Sequence, residues 1–154
     1  MRINANFHCG IKTLLELAKN TNQSGLMQKD ISLRQGISVK FLDHIISSLK
    51  VEGLIYRDVG KNRGYKLTMA PSEISVYQIY RAFEPEMNIN PCLSNDKICL
   101  KSQTCGARCF LKLFNEKMKY FMLSYTLKDL IELESGDTQD TTDSSIVRHK
   151  PCVK

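Results

Sequence analysis

The chain has 154 residues, of which 42% are hydrophobic and 25% are charged, and it carries a formal net charge of +6. This composition suits one domain, or a small domain with a helical extension. No apolar run approaches the roughly 20 residues of a membrane span, and the first ten residues, MRINANFHCG, lack the apolar centre of a signal peptide. We therefore expect a soluble, cytoplasmic protein with no membrane partner.

The positive charge is concentrated at the N-terminal end. Residues 1–70 hold eleven Lys and Arg against five Asp and Glu, whereas residues 131–154 hold three against five. A basic N-terminal module favours a polyanionic partner, most simply nucleic acid. A solvated basic face without a partner is the alternative that charge alone leaves open.

Helical periodicity predicts three helices in the first part of the chain. They cover residues 7–19, 28–35 and 39–52. Gly36 breaks the chain between the second and third helices, and Ser38 is positioned to cap the third. Two helices joined by so short a turn predict a helix-turn-helix.

The third helix has one apolar and one polar face. The expected buried stripe consists of Val39, Leu42, Ile45, Ile46 and Leu49. The opposite face presents Lys40, Asp43, His44, Ser47 and Lys50. This polar face is where a recognition helix would meet DNA.

A β-hairpin with a basic tip is predicted directly after this helix. Residues 54–59 and 65–67 are β-like runs, and Lys61, Asn62 and Arg63 lie between them. This order is the layout of a winged helix-turn-helix, in which the helix enters the major groove and the wing grips phosphates. A winged helix used only for protein contacts is the alternative.

Helices are also predicted in the C-terminal half. Ser75 and Gln78 resemble a capping box at the start of a helix over 76–84. A long helix over about 105–124 carries an apolar surface, with Phe110, Leu111, Leu113, Phe114, Met118, Phe121 and Met122. It has little domain of its own to pack against, so a partner subunit is its expected cover. Thr126 would cap a final short helix.

We therefore expect three parts. Residues 1–70 form the winged helix-turn-helix domain, and residues 71–133 form a linker helix, a cysteine loop and a dimerisation helix. Residues 134–154 form a polar tail that is expected to be disordered.

Four of the six cysteines lie between Cys92 and Cys109, in CLSNDKICLKSQTCGARC, with the spacing C-x6-C-x5-C-x3-C. Thiolates gathered by short polar gaps suit soft metals and iron–sulfur clusters. Structural zinc is less favoured, since such sites usually pair cysteines at close spacing and no C-x-x-C occurs here. Disulfides are the second alternative; they form mainly in oxidising compartments, whereas we expect this protein in the reducing cytoplasm. Free thiols remain a third alternative.

The histidines are His8, His44 and His149, with no paired acid or nucleophile nearby, so we expect no enzyme.

Three segments resemble the iron–sulfur-type winged helix-turn-helix transcription regulators, the IscR- and NsrR-like family. They are MRINANFHCGIKTLLELA, KDISLRQGISVKFLDHIISSLKVEGLI and RDVGKNRGYKL, and the resemblance covers about residues 1–133. It implies a mainly α fold with a small β-hairpin wing and a long C-terminal dimerisation helix. It also implies a homodimer that binds double-stranded DNA at a palindromic operator.

The resemblance further implies a cluster site. Many members hold a 2Fe–2S or 4Fe–4S cluster on three loop cysteines, which here would be Cys92, Cys99 and Cys105. We expect Cys109 as the fourth ligand, because it lies one helical turn after Cys105 on the same face. His8 is the alternative. It lies near the place where NsrR, the nitric-oxide sensor of the family, has an aspartate that reaches the partner subunit's cluster.

Two features depart from the family's pattern. The gap between Cys92 and Cys99 is six residues rather than the family's usual five. Arg108 stands where IscR, the iron–sulfur biogenesis regulator of the family, has a histidine. In the family an acidic residue near the start of the recognition helix reads bases, and Asp43 would take that role here. The expected DNA-contacting residues are Ser38, Lys40, Phe41, Asp43, His44, Lys61, Asn62 and Arg63.

The sequence thus predicts a dimeric regulator whose DNA binding is controlled by an iron–sulfur cluster that senses redox state, iron or nitric oxide. A cluster-free thiol or disulfide switch and a zinc-stabilised regulator are alternatives within the class. An electron-transfer iron–sulfur protein is the alternative from another class. Specific palindrome binding would separate the last from the others.

Overall fold

The structure is a computed structural model and describes residues 4–20, 24–59, 63–95 and 104–135. Within these ranges the elements follow in chain order: α1 (Ala5–Lys19), α2 (Gln28–Gln35), α3 (Val39–Val51), β1 (Ile55–Asp58), β2 (Gly64–Leu67), a 3₁₀ turn (Pro71–Glu73), α4 (Val76–Arg81), α5 (Pro91–Ser94), α6 (Gly106–Ser124) and α7 (Leu127–Ser135). The fold is mainly helical with one antiparallel hairpin, as predicted.

Helices α2 and α3 form the predicted helix-turn-helix. Gly36 ends α2 in the left-handed conformation with φ of 63°, a backbone geometry that glycine adopts without steric cost. The core of this unit contains fully buried residues from all three N-terminal helices, among them Leu14, Ile31, Leu42, Ile45 and Leu49. Val39 was expected in the buried stripe, but it is 47% exposed because it stands at the first position of α3, outside this packing.

The wing is a hairpin paired from Ile55 with Leu67 to Asp58 with Gly64. A third segment joins it, because the N–H of Leu26 donates to the carbonyl of Tyr65 at 3.1 Å and the carbonyl of Leu26 accepts the N–H of Tyr65 at 2.8 Å. Gly64 has φ of 146°, and a Cβ there would overlap with the backbone of Gly25. Only glycine therefore fits this place.

Helix α4 begins with the predicted capping box. The Oγ of Ser75 accepts the N–H of Gln78 at 3.2 Å, and the Oε1 of Gln78 accepts the N–H of Ser75 at 2.8 Å. The helix ends at Arg81 rather than at residue 84, because residues 82–83 form a turn. Pro85 in addition disfavours the helical conformation of the residue before it.

The chain after α6 returns to the winged domain. The N–H of Val76 donates to the carbonyl of Tyr125, and the N–H of Leu127 donates to the carbonyl of Ile74, both at 2.8 Å. Helix α7 then packs on α1, and Lys19 pairs with Glu134. Since α7 runs to Ser135, residues 134–135 are helical rather than part of a tail; residues 136–154, assigned to the tail, lie outside the described residues.

Helix α6 has an inner and an outer face. Met118 and Met122 pack against the hydrophobic core. The outer face exposes large apolar side chains: Phe110, Phe114, Tyr120, Phe121 and Leu123. In the described part of the chain, no helix is both long and apolar enough to span a bilayer. The three-part division expected from the sequence stays a prediction.

Candidate DNA-binding surface and cysteine site

Three predicted DNA contacts lie exposed on one face of α3, namely Lys40, Asp43 and His44. The helix begins after Ser38, whose exposed Oγ accepts the N–H of Phe41 at 3.3 Å. Phe41 itself is half-buried and packs against the core. Its aromatic ring is therefore partly committed to folding, and its contact with DNA stays a prediction.

Asp43 already has a partner on the other helix of the motif. The Nε2 of Gln28, the first residue of α2, donates to Oδ1 of Asp43 at 2.6 Å and to the carbonyl of Val39 at 3.2 Å. Sequence reasoning missed Gln28, since a polar residue at the start of a helix gives no sign of which distant residue it contacts.

The wing presents exposed positive charge. Arg63 lies exposed just before β2 and Arg57 lies exposed on β1, whereas Lys61 and Asn62 lie outside the described residues. Arginine is well suited to phosphate because its planar guanidinium offers several donors.

One wing cation is compensated within the wing itself. The Nζ of Lys66 donates to Oδ2 of Asp58 at 2.9 Å, and this hydrogen bond is the main cause that raises the pKa of the Lys66 ammonium. A lysine already paired with a carboxylate attracts a phosphate less strongly. Arg57 and Arg63 are therefore the stronger candidates for backbone contacts.

The cysteine site begins at α5 and closes on α6. Cys92 lies half-buried in α5, and Cys105 lies half-buried at the N-cap of α6, and both are free thiols. Cys99, the middle ligand of the predicted set, lies outside the described residues. The donors that the structure describes are soft sulfurs, which is the ligand chemistry that iron–sulfur clusters require.

The two candidate fourth ligands differ in state. Cys109 lies one turn into α6, where its N–H donates to the carbonyl of Cys105 at 3.1 Å, and it is disulfide-bonded. A disulfide sulfur is not a thiolate, so Cys109 is available to iron only after reduction. His8 is exposed on α1. Within the described ranges, no three His, Cys, Asp or Glu side chains are close enough to hold a metal ion.

Three polar side chains fix the segment that carries Cys92. The Nε of Arg108 donates to the Cys92 carbonyl at 2.9 Å, and Oδ1 of Asn90 accepts the Cys92 N–H at 3.0 Å. Asn115, only 8% exposed, accepts the N–H of Ile89 at 3.2 Å. Asn115 shares a stripe of α6 with Met118 and Met122, and a polar residue in that apolar stripe was a signal that the sequence offered. Cys92 is thus held against the long helix.

A winged helix-turn-helix with an exposed polar recognition helix and a basic wing defines a DNA-binding transcription regulator. The family model described as "Rrf2: Iron-dependent Transcriptional regulator" matches residues 3–133. The chain belongs to the Rrf2 family.

Individual relatives agree with this assignment. Protein rrf2 of Nitratidesulfovibrio vulgaris is 30% identical over 136 residues, which cover 84% of this chain and 89% of the relative. The HTH-type transcriptional regulator IscR of Pectobacterium atrosepticum is 26% identical over 145 residues, covering 92% and 88%. The structure of CymR, described as the global cysteine regulator of B. subtilis, superposes with a TM-score of 0.73 at 23% identity, covering 86% and 98%. The CymR structure supports the fold. As a member of a family of transcriptional regulators, the chain is not an enzyme.

Proposed function

We propose that this regulator is a cytoplasmic homodimer whose binding to a palindromic operator is controlled by an iron–sulfur cluster. The observation that carries the proposal is the pair of free, half-buried thiols of Cys92 and Cys105 at the two sides of the cysteine loop. The carbonyl of Cys92 accepts a hydrogen bond from Arg108 of α6, and Cys105 stands at the N-cap position of the same helix. The family's description as iron-dependent supports the choice of metal.

Cys92, Cys99 and Cys105 would hold the cluster, with Cys109 or His8 as the fourth ligand. When bound, the cluster would fix the cysteine loop through its iron–sulfur bonds. Loss, oxidation or nitrosylation of the cluster would release the loop. The chain's own residues hold the segment before the loop on both sides. Ile89 is bonded to α6 through Asn115, and Asn4, the N-cap of α1 in the winged domain, donates to Glu84 at 3.0 Å. A ligand shifts such an arrangement only through its preference for one state.

The outer face of α6 supports dimerisation. Phe110, Phe114 and Phe121 lie exposed at 65%, 40% and 63%, at spacings that place them along one side of the helix. Burying each against a second copy would contribute about 1.5–3 kcal/mol. A two-fold symmetric dimer presents two recognition helices, so its operator would have half-sites about one helical turn apart or a multiple of it.

The recognition helix would read bases through Asp43. A carboxylate accepts a hydrogen bond from the N4 amine of cytosine in the major groove, a contact worth about 1–3 kcal/mol of discrimination. The exposed cations nearby, such as Lys40 and Arg63, would contact phosphates and add affinity that does not depend on sequence.

A second candidate is a cluster-free thiol–disulfide switch. The disulfide at Cys109 favours it, because Cys109 is bonded to the sulfur of a second cysteine while Cys92 and Cys105 remain thiols. In that case oxidation and reduction of Cys109 would alter the start of α6 without iron.

Purification without oxygen decides between the two. The proposal expects visible absorption bands with matching iron and sulfide, and operator affinity that changes when the cluster is removed. Colourless protein without iron, whose DNA binding follows the redox state of Cys109, would establish the second candidate. Zinc in place of iron would establish a zinc-stabilised regulator.

The fourth ligand is assigned by comparing Cys109→Ala with His8→Ala, each scored for iron, sulfide and absorption. We expect Cys109→Ala to lose or shift the cluster. A full, unshifted cluster in Cys109→Ala together with an altered one in His8→Ala would assign the ligand to His8.

A further inference from the structure

The hydrogen bond between Gln28 and Asp43 joins the two helices of the helix-turn-helix motif at the surface that faces DNA. Gln28 is half-buried, and its Nε2 is bonded at the same time to the backbone carbonyl of Val39 and to Oδ1 of Asp43, at 3.2 and 2.6 Å. The amide group has two N–H donors, and these two bonds employ both. Gln28 is thus anchored to the backbone of α3 while it holds an exposed carboxylate.

We infer that Gln28 is a specificity-determining positioning residue, which orients the Asp43 carboxylate toward one base. The inference rests on the proposed function, in which Asp43 reads a base. An exposed aspartate ordinarily samples several rotamers, and ordering it on binding weakens its contribution to recognition. A donor fixed to the helix backbone selects one rotamer before DNA arrives.

The same geometry determines which bases this pair favours. With both Gln28 donors bonded to the protein, Gln28 can offer a base only its carbonyl oxygen, and Asp43 likewise offers only acceptors. Acceptors match an exocyclic amine on a base edge, which in the major groove is N4 of cytosine or N6 of adenine. The O6 and N7 acceptors of guanine and the O4 acceptor of thymine would be repelled.

Without Gln28, Asp43 has other options on its own helix. Lys40 is exposed three positions earlier on the same face, close enough for the carboxylate to turn toward its ammonium. That rotation would withdraw the acceptor from the base and neutralise a cation otherwise directed at phosphate. Loss of Gln28 is therefore expected to weaken base discrimination more than overall affinity.

The test uses the full-length dimer and a duplex selected in vitro from random DNA, with single-base-pair variants of that duplex. Fluorescence anisotropy gives the ratio of affinities for the selected and altered sites. We expect Gln28→Ala to lower this ratio about two- to tenfold at the base pair that Asp43→Ala affects, and nowhere else. Gln28→Glu, which keeps the shape but loses the donor, should lower it as well.

The double variant separates positioning from an independent contact. In the Asp43→Ala background, Gln28→Ala should produce no further loss at that base pair. Gln35→Ala is the matched control, since Gln35 lies on the same helix but donates to Glu16 of α1 at 2.6 Å; its ratio should equal that of the unaltered protein.

Three results would overturn the inference: an unchanged or increased ratio in Gln28→Ala, an equal loss in the presence and absence of Asp43, or the same loss in Gln35→Ala. If Asp43→Ala itself leaves base preference unchanged, the proposed role of Asp43 fails and the inference fails with it. Thermal unfolding of each variant identifies any loss that comes from misfolding.

Discussion

The guanidinium Nε of Arg108 donates a hydrogen bond to the carbonyl oxygen of Cys92 at 2.9 Å, across the mouth of the cysteine loop. Arg108 departs from the pattern of the resembled family, since the biogenesis regulator has a histidine at this place. A guanidinium stays protonated in proteins and has no lone pair to offer iron. At this position the chain therefore has a side chain that holds the Cys92 segment by a hydrogen bond rather than a metal ligand.

Replacing Arg108 by alanine should expose Cys92. Loss of a partly buried hydrogen bond of about 1 kcal/mol raises the open fraction of the segment about fivefold. In reduced, iron-free protein, the rate of Cys92 alkylation, followed by mass spectrometry, should rise by that factor. In a separate preparation purified without oxygen, the iron content of the variant should fall. Lys112 and Arg108 both lie on α6 and line one cleft, together with Leu93 of the Cys92 segment. Lys112→Ala is therefore the control, and it should leave both quantities unchanged. An unaltered alkylation rate in Arg108→Ala would show that the hydrogen bond does not hold the segment.

The exposed aromatic face of α6 predicts a dimer that charge can break. Phe110→Asp combined with Phe121→Asp should give monomers in analytical ultracentrifugation, because both side chains are over 60% exposed in the single chain and would be desolvated by a partner. Met118→Asp is a poor choice, since Met118 packs against the core. Val51→Asp is the control at an 89% exposed position. A folded dimer in the double variant would move the interface elsewhere.

Arg63 should contribute affinity without sequence preference. Arg63→Ala should weaken binding to all duplexes to a similar degree. It should reduce the slope of log affinity against log salt by about two, because each subunit of the proposed dimer loses one phosphate contact. Lys117→Ala, on the exposed side of α6, should leave the slope unchanged. A loss confined to one DNA sequence would instead indicate that Arg63 reads a base.

Gly64→Ala should loosen the wing. The positive φ and the overlap of a Cβ with the backbone of Gly25 predict a loss of at least about 1–3 kcal/mol in the free energy of unfolding. Urea denaturation would measure it. Gly106→Ala is the matched control, because no atom of the described residues lies within 4 Å of a Cβ there, and it should not be destabilised.

Much of the fold was predictable because local signals and packing agree. The short turn at Gly36, the cap at Ser38 and the capping box at Ser75 each define an element by backbone chemistry within four residues. The hairpin and the length of α6 follow from periodicity in the same way. The fold class predicted from the sequence was therefore confirmed.

The contacts between distant segments were not predictable. Met118 was expected to be covered by a partner subunit with the rest of the apolar surface of α6, but it packs against the chain's own hydrophobic core. The pairing of Gln28 with Asp43 spans 15 positions, and that of Arg108 with Cys92 spans 16. Such pairs depend on how helices cross, which one sequence does not reveal.

The hydrogen bonds between residues 74–76 and 125–127 anchor the C-terminal end of α6, so that any rotation of the helix would have this end as its pivot. Its 19 residues give it a length of about 28 Å at 1.5 Å per residue, with the pivot at the C-terminal end and Cys105 at the other. By simple trigonometry, a rotation of about 5° about that pivot moves the far end by about 2.5 Å, while the anchored end barely shifts. Conversely, a displacement of a few ångströms at Cys105 would appear at residues 125–127 as a rotation of a few degrees, next to α7, which packs on α1 of the winged domain.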